Sequence, residues 1–387
     1  MRCVTSKMRS AIVLIIISLA LATINARSSF RQNSSATVAD LLTEIDPPAG
    51  FSYAIDPIKF EFPSDHGKHP DFRSEWWYFT GNTATEDGHE FGFQFTIFRF
   101  ALKPIPSHSQ SPWRHSNIYM GHFAISDISA ETFHAYERQA RPALDMAGQQ
   151  AQPLKIWIGD WSLEQSDGKS EVWHLLAKQN SYTLDIVLRA DRPILLQGDK
   201  GLSKKSAAPG NASYYYSIPR LSVSGTIGTP ETVHQVKGQG WYDHEWSTSA
   251  LAEGQQGWDW FSLQLDDGRE LMFYQIRDTL GQATGTSHGV ILSNKGTQVP
   301  LDSANVEIKV QRYWRSPKSG ARYPARWRIK IPEQQLDLIV TPRFADQEWR
   351  QNFTYWEGAV SVTGKSSDQA IVGRGYVELV GYDRGRN

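Results

Sequence analysis

Beyond its first fifty residues the chain alternates apolar and polar positions in short runs, broken by Gly, Pro, Asn and Asp. This is the period of β-strands, whose successive side chains point to opposite faces. Trp76-Trp77-Tyr78-Phe79-Thr80 and Glu90-Phe91-Gly92-Phe93-Gln94-Phe95-Thr96-Ile97-Phe98 read as two strands joined by a polar turn. Further strands are predicted at Tyr119 to Ser126, Lys155 to Ile158, Val172 to Ala177, Thr183 to Leu188, Tyr214 to Ser217 and Leu221 to Ser224. Helical periodicity is scarce, and Thr37 to Ile45 is the best short candidate.

The second half repeats the grammar of the first. Trp76 to Thr80, followed by Gly88-His89-Glu90-Phe91-Gly92-Phe93, is echoed by Trp258-Asp259-Trp260-Phe261-Ser262, followed by Gly268-Arg269-Glu270-Leu271-Met272-Phe273. Tyr216 with Ser222-Val223-Ser224-Gly225 is echoed by Tyr355 with Ser361-Val362-Thr363-Gly364 at the same spacing. Gly238-Gln239-Gly240-Trp241-Tyr242-Asp243 is echoed by Gly373-Arg374-Gly375-Tyr376-Val377-Glu378. Matches in one order imply a duplicated β module. The boundary is expected in the Ser/Thr/Ala/Gly-rich stretch Ser247 to Gly257, giving modules over 48–246 and 247–387. An antiparallel module of this size removes its edges most completely by closing into a barrel, whose interior holds packed side chains or one small ligand.

The N-terminus reads as an address. Arg2, Lys7 and Arg9 precede the apolar run Ala11 to Ala22, with small-residue sites at Ala20-Leu21-Ala22 and Ala26. This is the pattern of a secretory signal peptide over 1–26, followed by a polar leader over 27–47. The apolar run is shorter than the ~20 residues that span a bilayer. The expected destination is secreted or periplasmic. Cleavage would also remove Cys3, the only cysteine, so disulfides and thiolate chemistry are not expected in the mature chain.

Composition adds two points. Aromatic residues make up 12%, with 14 Trp, which suits all-β architecture or a ligand pocket lined by rings. The formal net charge of −1 offers no electrostatic case for nucleic acid or an acidic membrane surface.

Candidate chemistry concentrates in Gly238 to Trp246, which holds two carboxylates, one histidine and three large aromatics. On a strand, Trp241, Asp243 and Glu245 share one face; Tyr242, His244 and Trp246 share the other. An acid boxed in by rings is either a structural hydrogen-bonding anchor or a proton donor whose pKa burial has raised. Glu378 holds the equivalent place in the second copy, which favours the anchor. Glu75 would share a face with Trp77 and Phe79, either in the pocket or in an ion pair with Arg73 or Arg99. His122 lies in an apolar strand, as a satisfied interior histidine or a proton relay. Of Tyr214, Tyr215 and Tyr216, the middle one faces opposite to its neighbours, and the run could wall a pocket. No His-x-His or His-Glu-x-x-His spacing occurs, so no metal site is expected; no Gly-x-Ser-x-Gly elbow or phosphate loop occurs either.

Ser74-Glu75-Trp76-Trp77-Tyr78, Gly121-His122-Phe123, Gln197-Gly198-Asp199, Gly210-Asn211-Ala212-Ser213-Tyr214-Tyr215-Tyr216 and Trp241 to Trp246 together resemble the secreted lipocalin-like family that includes the attachment protein AttH. The same superfamily includes carotenoid 1,2-hydratase. The resemblance covers about residues 50 to 385 and implies an all-β tandem of two lipocalin-like, calycin-type antiparallel barrels. It implies an acid, here Asp243, that protonates an isolated C=C of a hydrophobic isoprenoid, lipid or carotenoid-like molecule without a cofactor. Trp241 and one of the three tyrosines, taken as Tyr216 with Tyr214 beside it, would shelter the cation, and Glu245 or His122 would assist water capture. Glu75 and Trp77 complete the expected binding set. The alternatives are a periplasmic lipid carrier with structural carboxylates, in transient contact with a membrane, or a cell-surface attachment factor. The sequence leaves the substrate and the oligomeric state open.

Overall fold

The computed structural model describes residues 49–104, 116–166, 171–249 and 251–382. The signal-peptide run and the polar leader with its helical candidate lie outside the described residues. Among the described residues, no helix is long and apolar enough to cross a membrane.

Two antiparallel sheets make up the fold. The first opens with β1 (Ser74–Ala84), β2 (Glu90–Ala101), β3 (Asn117–Asp127) and β4 (Thr132–Ala140). Shorter strands follow: β5 (Ala147–Ala151), β6 (Leu154–Ile158), β7 (Trp161–Gln165), β8 (Val172–Gln179) and β9 (Tyr182–Ala190). Two brief pairings, β10 (Leu195–Leu196) and β11 (Leu202–Lys204), precede the long hairpin of β12 (Ala212–Gly228) and β13 (Val233–Ser247). Their order is β4-β3-β2-β1-β13-β12-β9-β8-β7-β6-β5, and β6 lies against β2, β3 and β4.

The second sheet begins with β14 (Gln255–Leu265), β15 (Glu270–Asp278), β16 (His288–Leu292) and β17 (Gln298–Asp302). It continues with β18 (Glu307–Arg315), β19 (Arg322–Ile331), β20 (Leu336–Pro342), β21 (Glu348–Arg350), β22 (Thr354–Ser366) and β23 (Gln369–Leu379). Its order is β17-β16-β15-β14-β23-β22-β20-β19-β18. Together the sheets form one nearly closed barrel and one half-barrel, a lipocalin-like all-β architecture.

The repeat is visible in the pairing. β13 closes the first sheet against β1, as β23 pairs with β14 in the second. The Gly-x-Gly signature has a steric cause. A Cβ at Gly238 would stand 2.1 Å from the Asn82 carbonyl oxygen, and one at Gly373 2.6 Å from that of Gln264. Both copies need a bare Cα where the neighbouring strand crowds in.

One local feature departs from the repeat. Pro219 has no N–H to give the ladder, and the register between β12 and β13 slips between Ile218 and Leu221. This bulge sits between Tyr216 and Ser222, inside the spacing that matched Tyr355 to Ser361. Upstream of it, Tyr215 rather than Tyr216 therefore takes the place of Tyr355.

The first core fills its barrel with Trp77, Phe79, Phe93, Phe95, Trp161, Trp173, Tyr216 and Trp246 among others. The second half-barrel packs around Phe261, Trp327, Leu338, Trp356 and Val377. A third apolar cluster, including Tyr78, Tyr215, Trp241, Trp260, Tyr355 and Tyr376, lies where the outer face of the first sheet meets the second. The acid-bearing face of β13 points there, away from the barrel interior.

Candidate active site between the two sheets

A cavity of ≈ 100 Å³ opens between the sheets. From the first sheet it is lined by Trp76, Tyr78, Thr96, Phe98 and Tyr215, and from the second by Trp258, Trp260, Tyr274, Ile276 and Tyr355. Four carboxylates enter this ring-lined space: Asp243, Glu245, Glu357 and Glu378. Strand alternation accounts for the selection, since Trp76 and Tyr78 on β1 share the face of Asp243 and Glu245 on β13.

Asp243 is 3% exposed and holds three donors. The Tyr215 hydroxyl donates to Oδ2 at 2.6 Å, the Trp241 indole N–H to Oδ1 at 2.7 Å and the Ser217 hydroxyl to Oδ1 at 2.5 Å. Burial pushes its pKa up to about 7 against those three donors, and the charge of Glu245 adds to the rise. The Tyr215 hydroxyl in turn accepts from the Trp260 indole at 3.2 Å, so a residue of the second sheet supports the acid through one intermediary.

Glu245 has the opposite surroundings. Lys205 places Nζ 2.7 Å from its Oε1, and the Ser213 hydroxyl donates to the same oxygen. Burial lowers the pKa of Lys205, but Glu245 and Tyr274 together outweigh it and the net shift is upward, which holds the ammonium charged. Lys205 also lies 4.4 Å over the Tyr274 ring.

The second copy contributes its own acids. Glu357 and Glu378 are direct cross-strand partners on β22 and β23. Burial raises Glu378 to about 8 against the Trp258 indole N–H 3.2 Å away, with the charges of Asp243 and Glu245 adding to it. Glu357 is pushed well above the ordinary carboxylic range by burial and by Glu378, and accepts from the Tyr78 hydroxyl at 2.5 Å. The second sheet thus brings two acids that burial raises, while the first brings Asp243, also raised, beside the Glu245–Lys205 pair.

The remaining expected residues divide between the faces of the sheet. Trp241 belongs to the cleft side through its bond to Asp243. His122 stands behind Tyr355: its Nδ1 is 2.9 Å from the Tyr355 hydroxyl, its ring stacks on Trp349 at 4.2 Å, and burial lowers its pKa. Glu75, Trp77, Tyr214 and Tyr216 do not reach the cavity. They point into the first barrel, because each lies on the opposite parity of its strand, and Tyr215 takes the cavity-side place that was expected of Tyr216. Tyr214 instead donates to the Asp56 carbonyl at 2.9 Å, and the Trp77 indole to that of His66 at 2.8 Å.

Inside that barrel Glu75 anchors a separate buried network. Arg99 Nε donates to its Oε2 at 2.9 Å; His69 Nδ1 and His244 Nε2 lie 2.7 and 3.1 Å from Oε1. Burial raises Glu75, yet Arg99 and the two imidazoles hold it well below the usual carboxylate range. Tyr216 bridges His66 and His244 at 2.6 and 3.0 Å. His69, Glu75 and His244 bring ligand atoms within 4.8 Å of one another and are the metal-capable group among the described residues. Arg99 already neutralises the carboxylate there, which fits a structural network better than a dication site.

Lys205, Tyr78, Trp260 and Glu357 escaped the sequence reading. The repeat and parity together could have pointed to Trp260, the counterpart of Tyr78; nothing local marks Lys205 or Glu357.

The family model of AttH-like proteins matches residues 53–382. The chain belongs to the AttH-like family. A crystal structure of an AttH candidate from Nitrosomonas europaea is 33% identical and superposes with a TM-score of 0.77, over 86% of this chain and 100% of that one. Kievitone hydratase of Fusarium solani subsp. phaseoli is 24% identical over 59% of this chain; the matched segment spans 65% of that enzyme, just under two thirds. The crystal structure of kievitone hydratase from Nectria haematococca superposes with a TM-score of 0.66 at 16% identity, covering 86% and 96% of the two chains, which shows a shared fold.

Proposed function

We propose that this protein is a hydratase-type lyase that protonates an isolated C=C of an apolar isoprenoid or lipid in the cleft between its sheets. The observation that carries this is Asp243: a carboxyl raised to about 7 by burial, facing aromatic rings, with three donors in place to receive its negative charge. The carboxyl proton goes to one alkene carbon and forms a C–H bond. The adjacent carbon becomes a cation, sheltered by the π-faces of Trp76, Tyr78 and Trp260. Water forms the C–O bond, and its surplus proton passes to the Glu245 carboxylate, the partner of Lys205 at 2.7 Å, and from there to solvent. Solvent protons restore Asp243. The cavity volume suits the reactive end of a long molecule.

Kievitone hydratase among the relatives supports hydration as the reaction class. Export through the predicted signal peptide belongs to the same proposal. The reading is tested with full-length protein on terminally unsaturated isoprenoids in H₂¹⁸O, with mass spectrometry for the labelled alcohol. Asp243→Asn is expected to abolish incorporation while retaining ligand.

A carrier reading draws on the hydrogen bonds that cross between the sheets, such as Tyr78 to Glu357, which give the acids a holding role. Under it, lipophilic molecules co-purify with wild type and Asp243→Asn alike, and neither incorporates label.

A further inference from the structure

Charge on this chain is nearly balanced in total but not in place. Between Ile308 and Pro332 stand Lys309, Arg312, Arg315, Lys318, Arg322, Arg326, Arg328 and Lys330, with no acid among them. This segment is β18, its turn and β19, and β18 is an outer edge of the second sheet. Ile308, Val310 and Trp314 turn inward to the half-barrel, as do Tyr323, Trp327 and Ile329. Parity sends Lys309, Arg315, Arg322 and Arg326 to the outer face, and the register shifts on either side of Arg312 bring it there too; all five are exposed.

The register makes this arrangement costly. Lys309 lies directly opposite Arg328, Arg312 opposite Arg326 and Arg315 opposite Arg322. Like charges directly opposed across a ladder destabilise a sheet. One Lys on an edge strand would suffice to block edge-to-edge association; three opposed cation pairs exceed that need. Among the described residues, the acids within the ladder on this face are Glu307 opposite Lys330 and Asp337, which pairs with Arg328. Arg322 lies 3.7 Å over the ring of the exposed Tyr313, so the patch also presents an aromatic surface.

We propose that this outer face of β18–β19 docks the protein on an anionic lipid bilayer. Lipid phosphates relieve the opposed cations, and Tyr313 meets the headgroup layer that favours such rings. Preference for a bilayer over a nucleic acid rests on the apolar ligand proposed above, which partitions into membranes. The turn that joins β18 and β19 is tied toward the cleft: the Ser316 and Ser319 hydroxyls donate to Glu348, beside the Trp349 that stacks on His122. A chain of overall charge −1 with this patch would bind in one orientation.

The test is sedimentation of full-length protein with vesicles of phosphatidylcholine, with and without phosphatidylglycerol, across a salt series. Binding is expected only with phosphatidylglycerol and should fade as salt rises. The set Arg312→Gln, Arg315→Gln, Arg322→Gln and Arg326→Gln should lose roughly three orders of magnitude in vesicle affinity. Its Tm should rise, because the repulsion is gone. Replacing the same four by Lys should leave vesicle binding within about twofold of wild type, since each Lys contributes about as much as an Arg. Equal binding by the Gln set overturns the proposal, above all if that set instead self-associates through the bared edge. Tighter binding to duplex DNA than to these vesicles also overturns it. Failure of ¹⁸O incorporation with intact vesicle binding would count against the hydratase reading alone.

Discussion

The rings of Tyr78 and Trp260 meet edge to face across the cleft, centroids 5.3 Å apart at 87°. They hold equivalent places in the two copies, and each is the register partner of its own copy's acid, Tyr78 of Asp243 and Trp260 of Glu378. The polar contacts repeat the relation. Asn82 Nδ2 donates to the Gly375 carbonyl at 3.1 Å, and its counterpart Gln264 donates to the Gly240 carbonyl at 2.8 Å. The duplicated modules therefore clasp about a local two-fold, as an isologous dimer would. Such an arrangement carries the acids of both copies into one void, where the charges of Asp243 and Glu245 add to the rise that burial gives Glu378.

Turnover should require a protonated Asp243. With its pKa pushed up to about 7 by burial, the rate should be level at lower pH and fall as pH rises through about 7. Asp243→Asn should lower it by roughly 10²- to 10⁴-fold. The pH dependence of ¹⁸O incorporation checks both; a rate that climbs through neutrality would refute the acid role.

The same shift sets a stability difference. An aspartate with pKa 3.8 unfolded and about 7 folded binds its proton more tightly in the native state. Its stabilisation is therefore whole below about pH 4 and is lost as pH rises to about 7, on the order of 4 kcal/mol in total. Urea unfolding at several pH values should show this loss in wild type and not in Asp243→Asn. The difference between the two proteins isolates Asp243 from the other buried groups.

Adjacent tyrosines should behave differently. Tyr215→Phe removes a donor that favours the Asp243 carboxylate, so the alkaline limb should move to higher pH and turnover fall by about tenfold or more. Tyr216→Phe strips the His66 and His244 imidazoles of a shared partner inside the barrel. It should cost about 1–3 kcal/mol of stability and leave the limb in place. The pH-rate profile together with urea midpoints separates the two.

Arg99→Met should act on stability alone. Arg99 is 1% exposed and Glu75 0%, so truncating one member leaves a buried charge without its counterion. The expected loss is about 3–5 kcal/mol in urea unfolding. Turnover per folded molecule should hold, because this pair faces the barrel and not the cleft.

Much of this was legible in the chain. The two-residue period announced strands, the three ordered echoes announced duplication, and parity alone separated Trp241, Asp243 and Glu245 from Tyr242, His244 and Trp246, because a strand cannot turn one side chain without turning its neighbours. Which of those two faces meets the cavity was not legible. An inward acid and an outward acid have identical local sequence, and only the docking of one sheet on the other made the outer face of β13 a buried site. The same limit hid Tyr215. A one-residue bulge at Pro219 leaves spacing in the sequence intact and reverses which face a side chain takes, so Tyr216 matched in letters where Tyr215 matched in space. Lys205 and Glu357 became site residues through contacts between strands far apart in the chain, and such contacts exist only once both sheets have folded and closed on each other.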